Sequence, residues 1–235
     1  MMRKVRNVLK SVPWIRQLYF ACRPYFPQVA YLENNRRKVY EFDKTHGTDF
    51  SEWVYQDELG ISEKRANSYS PSPKKLVETL DCLEIHSFDS IVDLGCGKGF
   101  AMYQMANYPF GKIGGVELSY KLYEIANRNL EKVMPANVKW EICNCDAGIW
   151  DGYNDYNYFY MFNPFPNEVL YEVKKKIDDS IEQYPRKVTV LYLMPRCAEA
   201  FLEDTERWRL VKRGSRFEQK RGMHIFVCDG GKDND

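Results

Sequence analysis

The sequence predicts an α/β domain: a mostly parallel sheet with helices on both faces, preceded by a helical extension. Three observations predict it. From residue 73 onward, short apolar runs of strand length alternate with segments of helical period. The run Ile91-Val92-Asp93-Leu94 ends in a turn with glycine at every second position, Gly95, Gly97 and Gly99. A second acid, Glu117, closes the next apolar run, eighteen residues past Gly99.

The amino end reads as a separate region. Pro13, Pro24 and Pro27 cut residues 1–50 into short pieces. Val5, Leu9, Val12, Trp14, Ile15, Leu18 and Tyr19 have helical spacing, with Arg3, Lys4, Arg6, Lys10 and Arg16 between them. We read it as a lid that packs its apolar face on the main domain. Weak association with a membrane surface is the alternative for such a basic amphipathic stretch. A polar segment, 43–67, follows. Ser72 is placed to cap a helix and Pro73 to be its first residue. Leu76, Val77, Leu80 and Leu83 carry that helix to about His86.

Strands and helices then alternate. The first strand is expected over 90–95, a helix over 100–108 and the second strand over 112–117. Ser119 should cap a helix in which Leu122, Ile125, Ala126 and Val133 keep a 3.6-residue period. Residues 138–143 form the third strand. Residues 156–162, almost wholly apolar or aromatic, form a fourth that is covered on both faces. Asn167 begins a helix bearing Val169, Val173, Ile177 and Ile181. The fifth strand is 188–194, followed by a short helix at 197–203. Two last strands, 208–213 and 223–228, flank a turn at Gly214-Ser215, which makes one pairing antiparallel. The polar tail 229–235 is expected to be disordered. The organisation is therefore an extension (1–67), a main domain (68–228) and a tail.

Composition bounds the function. The chain has 235 residues and a net charge of +1, enough for one domain with a sizeable core. The charge is uneven: residues 1–40 hold nine Lys or Arg and one acid, Glu33. The rest is net acidic, which disfavours nucleic acid as a partner. Seven cysteines at 22, 82, 96, 143, 145, 197 and 228 show no CxxC pair, and with three histidines they suggest no metal site. Their apolar settings suggest a reducing cytoplasm. No run approaches the roughly 20 apolar residues of a membrane span, and no secretory signal is expected.

The glycine turn carries the chemistry. Glycine admits close approach of the backbone to a ligand, and the following helix start offers free N–H groups to an anionic group. An acid at the end of the next strand can accept two hydrogen bonds from ribose hydroxyls. The spacing is G-x-G-x-G, unlike the G-x-G-x-x-G of nicotinamide and flavin proteins, which disfavours an NAD-dependent oxidoreductase. With Asp93 ahead of it, the turn resembles motif I of class I S-adenosylmethionine (SAM) methyltransferases. The resemblance implies a Rossmann-like, seven-stranded sheet whose last strand inserts antiparallel, with SAM as cofactor. It implies that Gly95, Gly97 and Gly99 pass under the methionyl part and that Asp93 takes a water-mediated hydrogen bond from the amino group. Glu117 would hold the ribose diol, Asp146 accept from the adenine amino group, and Ala147 offer an N–H to a ring nitrogen.

After the fourth strand comes Phe162-Asn163-Pro164-Phe165-Pro166. Amino-methylating enzymes carry Asn/Asp-Pro-Pro-aromatic at this place, and the order here departs from it. Tyr69-Ser70-Pro71-Ser72, the glycine turn, Phe-Asn-Pro-Phe and the upstream Phe42-Asp43-x-x-x-Gly47 together resemble the lysine methyltransferases that lack a SET domain, and their bacterial relatives. That resemblance implies that Tyr69 and Ser72 belong to a loop closing over the methionyl end. It also implies that Asn163, Pro164 and Phe165 meet the acceptor. The acceptor, a small molecule, a glycan or a protein amine, is expected to be an amine nitrogen. Asn163 can orient an amine, whereas a hydroxyl acceptor needs a general base, for which His46, His86 and His224 are the histidines present. O-methylation of a glycan or metabolite, and SAM binding without turnover, are the rival readings.

Overall fold

The structure is a computed structural model that describes residues 27–62, 64–212 and 222–230. The basic arm before residue 27, the Gly214-Ser215 turn and residues 231–235 lie outside the described residues. Seven strands form one sheet: β1 (Ser90–Leu94), β2 (Lys112–Val116), β3 (Trp140–Cys143), β4 (Tyr158–Phe162), β5 (Val188–Leu193), β6 (Arg209–Lys212) and β7 (Met223–Cys228). Their order is β3-β2-β1-β4-β5-β7-β6. The first five pair in parallel, and β7 inserts antiparallel between β5 and β6. The chain reverses its direction of progress across the sheet between β1 and β4. In an open α/β sheet, ligands bind outside the strands' carboxyl ends at that point.

Side chains alternate between the two faces, and each face is buried. Phe159, Met161, Val190 and Tyr192 face one way, onto Val169, Val173, Ile177 and Ile181 of α5 (Asn167–Gln183) and Phe201 of α6 (Glu199–Leu202). Ile91, Ile113, Tyr160 and Leu191 face the other way. They pack with α2 (Lys75–Leu80), α3 (Phe100–Met105) and Leu130 of α4 (Tyr120–Val133).

Several elements differ from expectation. Pro27 does not break the extension; it begins α1 (Pro27–His46), a 20-residue helix. Its missing N–H and fixed φ suit the first helical position. Ser72 does not cap α2. The helix starts at Lys75 and ends at Leu80, and the Ser72 hydroxyl instead meets the Tyr160 hydroxyl at 2.8 Å. Ser119 is the residue before α4, but its side chain makes no cap; Oγ donates to the Leu59 carbonyl at 3.3 Å. The helix after the glycine turn has six residues and stops at Met105 rather than 108. Gly152–Asp155 wind into a 3-10 turn that buries Tyr153, so β4 begins at Tyr158 instead of 156. In the tail, Asp229 is ion-paired with Arg209 at 3.3 Å.

The extension is stapled to the core through Asp43. This buried carboxylate accepts the Thr48 hydroxyl at 2.6 Å and the N–H groups of Phe50 and Ser51 at 2.9 and 2.8 Å. The turn so held drives Phe50 to full burial beside Phe42, Phe100 and Val39. Lys98, only 1% exposed, then reaches Asp49 at 2.7 Å, and Asn129 accepts the Asp49 N–H at 2.9 Å. Val39, Phe42 and Phe50 thus join the core on that face. Asp43→Ala strands two buried backbone donors and should lower the unfolding free energy by about 3 kcal/mol. Urea denaturation monitored by circular dichroism checks it; an unchanged midpoint refutes the staple.

Candidate active site

The glycine turn sits at the carboxyl end of β1. The Gly95 and Cys96 N–H groups both donate to the Val116 carbonyl, at 2.8 and 3.0 Å. Gly95 (φ 85°) and Gly97 (φ 57°) are left-handed, and both are approached closely. A Cβ on Gly95 would fall 2.4 Å from the Pro164 Cβ, and one on Gly97 2.2 Å from the Tyr69 ring. Backbone and space therefore both select glycine at these two positions. Gly99, also left-handed, precedes α3.

Asp93 is 3% exposed and Glu117 6%. Glu117 accepts the Gly97 and Ser119 N–H groups, each at 2.8 Å, so its carboxylate fixes the turn it faces. Burial pushes the Asp93 carboxyl well above the usual range, and the nearby Glu117 charge pushes it further. Burial also raises Glu117, against the lowering effect of its backbone donors. The two acids line one cleft that opens to solvent. Two buried carboxylates of raised pKa favour a cationic group between them.

A strap, residues 64–72, lines one side of the cleft. The Tyr69 hydroxyl donates to the Phe50 carbonyl at 2.7 Å, and its backbone pairs with Val54. Asn67 donates its N–H to the Pro164 carbonyl and its side-chain amide to the Asn163 carbonyl, both at 2.9 Å. Arg65 forks onto Asp146, with 2.8 and 2.6 Å contacts, and reaches Glu172.

Of the residues expected from the sequence, Tyr69, Ser72, Asp93, Gly95, Gly97, Glu117, Asp146, Ala147, Pro164 and Phe165 all line this cleft. Gly99 is not in the lining. Phe165 is 7% exposed and belongs to the core of the α5 face. Asn163 is not in the lining, although Phe162 and Pro164 on either side of it are. Its side-chain oxygen faces the Tyr192 hydroxyl at 3.5 Å, and its own φ is 45°. Met194, the residue after β5, is left-handed too (φ 51°). Phe162 and Leu193 are partners in register, so the two left-handed residues stand side by side. Non-glycine residues held this way cost of order 1–3 kcal/mol each and cluster at functional sites.

None of the histidines lies in the cleft lining. His46 stacks on Phe42 at 3.9 Å, His86 stacks on Phe88 at 4.9 Å, and His224 pairs with Tyr192 across β5 and β7. Sequence reasoning missed Arg65, Asn67, Lys98 and Tyr192. The three polar ones carry no spacing signal, since their partners lie 31 to 107 residues away.

A search of curated proteins finds no match. Similar solved structures include an RNA methyltransferase from Salinibacter ruber in complex with S-adenosyl-L-homocysteine: 16% identity, 70% of this chain, 96% of that one, TM-score 0.47. A putative RNA methyltransferase from Pyrococcus horikoshii covers 74% of this chain and 89% of its own, at 13% identity and TM-score 0.48. The methyltransferase domain of a bacterial Hen1 covers 66% and 97%, at 15% identity and TM-score 0.48. Among the described residues no helix is long and apolar enough to cross a membrane. The family model of protein-L-isoaspartate(D-aspartate) O-methyltransferase matches residues 4–164. The chain belongs to that family, and is a class I SAM-dependent methyltransferase.

Proposed function

We propose that the chain methylates an unprotonated amine presented over Asn163 at the carboxyl end of β4. The observation that carries this reading is the left-handed Asn163, whose side-chain oxygen is an acceptor beside the cleft. Asp93 pairs with the α-ammonium of SAM and Glu117 with its ribose hydroxyls. The Gly95–Gly99 turn lies under the methionyl part, with Tyr69 and Ser72 closing over it. Asp146 and Ala147 bound the nucleoside end. SAM supplies a methyl group on a cationic sulfur; the new N–CH₃ bond forms as the S–CH₃ bond breaks, and the electron pair stays on sulfur. Holding nucleophile and methyl in line can supply about 7–11 kcal/mol, so the chain needs no covalent nucleophile. The carbonyls of Asn163 and Pro164 are spent on Asn67, which leaves the Asn163 side chain to orient the amine. The amine's excess proton leaves to solvent after transfer.

A second reading is favoured by the family match: a carboxylate oxygen as acceptor, which likewise needs no general base. The two differ in product. Labelled-methyl SAM is supplied with a panel of amines, isoaspartyl peptides and sugars, and products are then held at mildly alkaline pH. An amine product keeps its label. Release of the label as methanol identifies an ester and overturns the amine reading, and an alkali-stable product on sugars alone identifies an ether.

A further inference from the structure

No motif points to Arg65, yet it lines the cleft beside Asp146 and Ala147. Its edge donors are committed. Nε donates to Asp146 Oδ2 at 2.8 Å and Nη2 to Asp146 Oδ1 at 2.6 Å, while Nη1 lies 2.8 Å from Glu172 Oε2. The strap, the loop after β3 and helix α5 each contribute one member of this cluster. Asp146 is committed as well. Oδ1 also accepts the Gly148 N–H at 2.9 Å, so three of about four lone-pair sites on the carboxylate are filled. An adenine amino group could win such a site only by displacing a charge-assisted, bidentate pair, and these are roughly twice as strong as neutral hydrogen bonds.

A guanidinium whose edge is committed in this way can still meet a ligand with its flat face. That face stacks on aromatic rings, and a rigid fork on a carboxylate is what holds it in one plane. Two carboxylates against one guanidinium leave the cluster net negative, so it does not repel a cationic methyl donor.

We infer that Arg65 is the side chain that meets the purine of the cofactor, by stacking its guanidinium face on the ring, and that Asp146 and Glu172 are positioning residues that hold it. This rests on the SAM reading above and reassigns the nucleoside end within it. Recognition of this kind reads a flat ring and is indifferent to the exocyclic group at purine position 6. Direct acceptance by Asp146 requires a 6-amino donor.

Calorimetry with S-adenosylhomocysteine and with S-inosylhomocysteine, whose 6-position carries an oxygen, separates the two. The wild type, Arg65→Ala, Asp146→Asn and the double variant are compared, with thermal melts to establish that each is folded. The wild type is expected to bind both ligands within a few-fold. Each single variant should weaken both ligands by about tenfold, and the double variant should be no weaker than the worse single one. Arg65→Lys, which keeps the charge but has no planar face, should not restore affinity. A strong wild-type preference for the 6-amino ligand that Asp146→Asn removes, with Arg65→Ala unaffected, overturns the inference. Losses that add in the double variant overturn it too. A wild type that binds neither ligand overturns the SAM reading itself.

Discussion

Asp93→Asn is expected to make the ligand-free protein more stable and to weaken SAM binding by about a hundredfold. Both effects come from one cause. In the fold, Asp93 is almost fully buried near the Glu117 charge, and both burial and that charge raise its pKa well above the usual value of 3.8. A carboxyl of raised pKa binds protons more tightly in the folded than in the unfolded chain. Its contribution to stability is therefore fully present below the unfolded pKa and is lost as pH rises through the folded one. At neutral pH the ligand-free fold carries that penalty. Asparagine has nearly the same shape and no charge, so it removes the penalty, and each kcal/mol recovered raises the melting temperature by about 2–4 °C. On the proposed reading, the α-ammonium of SAM would restore the balance in the wild type by pairing with the ionised form. A charge-assisted pair of this kind out of bulk water is worth about 1.5–3 kcal/mol, which is the scale of the expected loss. SAM affinity of the wild type should fall as pH drops through the raised pKa, and Asp93→Asn should flatten that dependence. Differential scanning calorimetry and SAM titrations at several pH values check both. A variant that loses stability as well as affinity marks Asp93 as a structural residue.

The sheet and the turn were legible in the sequence because their determinants are local. Asp93 and the three glycines sit within seven residues, and the demand for left-handed backbone is written directly as glycine. Glu117 was legible by spacing, since a parallel neighbour must end level with β1, and Leu94 does pair with Val116. The strap was not legible. Ser72 has the chemistry of a helix cap, and nothing local says that its hydroxyl goes to Tyr160, 88 residues away. Proline at 27 reads as a breaker or as a first helical residue with equal force until the length of α1 is seen. Arg65 and Asp146 are each ordinary loop charges in sequence; only the fold of the strap brings them together.

Removing the Asn163 side chain should lower turnover by about a hundredfold, roughly 3 kcal/mol of barrier, with SAM affinity nearly unchanged. Choice of the replacement decides what is learned. Asn163 holds φ at 45°, a conformation that costs most L-residues about 1–2 kcal/mol and that asparagine tolerates. Alanine would lose the side chain and strain the backbone together. Glycine loses the side chain but keeps the turn, so Asn163→Gly isolates the acceptor group. If Asn163 is present only to make the left-handed turn, the glycine variant retains full turnover. If its side-chain oxygen aims the amine, Asn163→Gly and Asn163→Ala lose turnover alike, and only the alanine variant also melts earlier. The Tyr192 hydroxyl, 3.5 Å from that oxygen, can hold the side chain in one orientation, a role that both outcomes share. Turnover is read with a coupled assay for S-adenosylhomocysteine on whichever acceptor the labelling panel identifies. A glycine variant as active as the wild type would remove Asn163 from the mechanism and leave its oxygen a partner of Tyr192 alone.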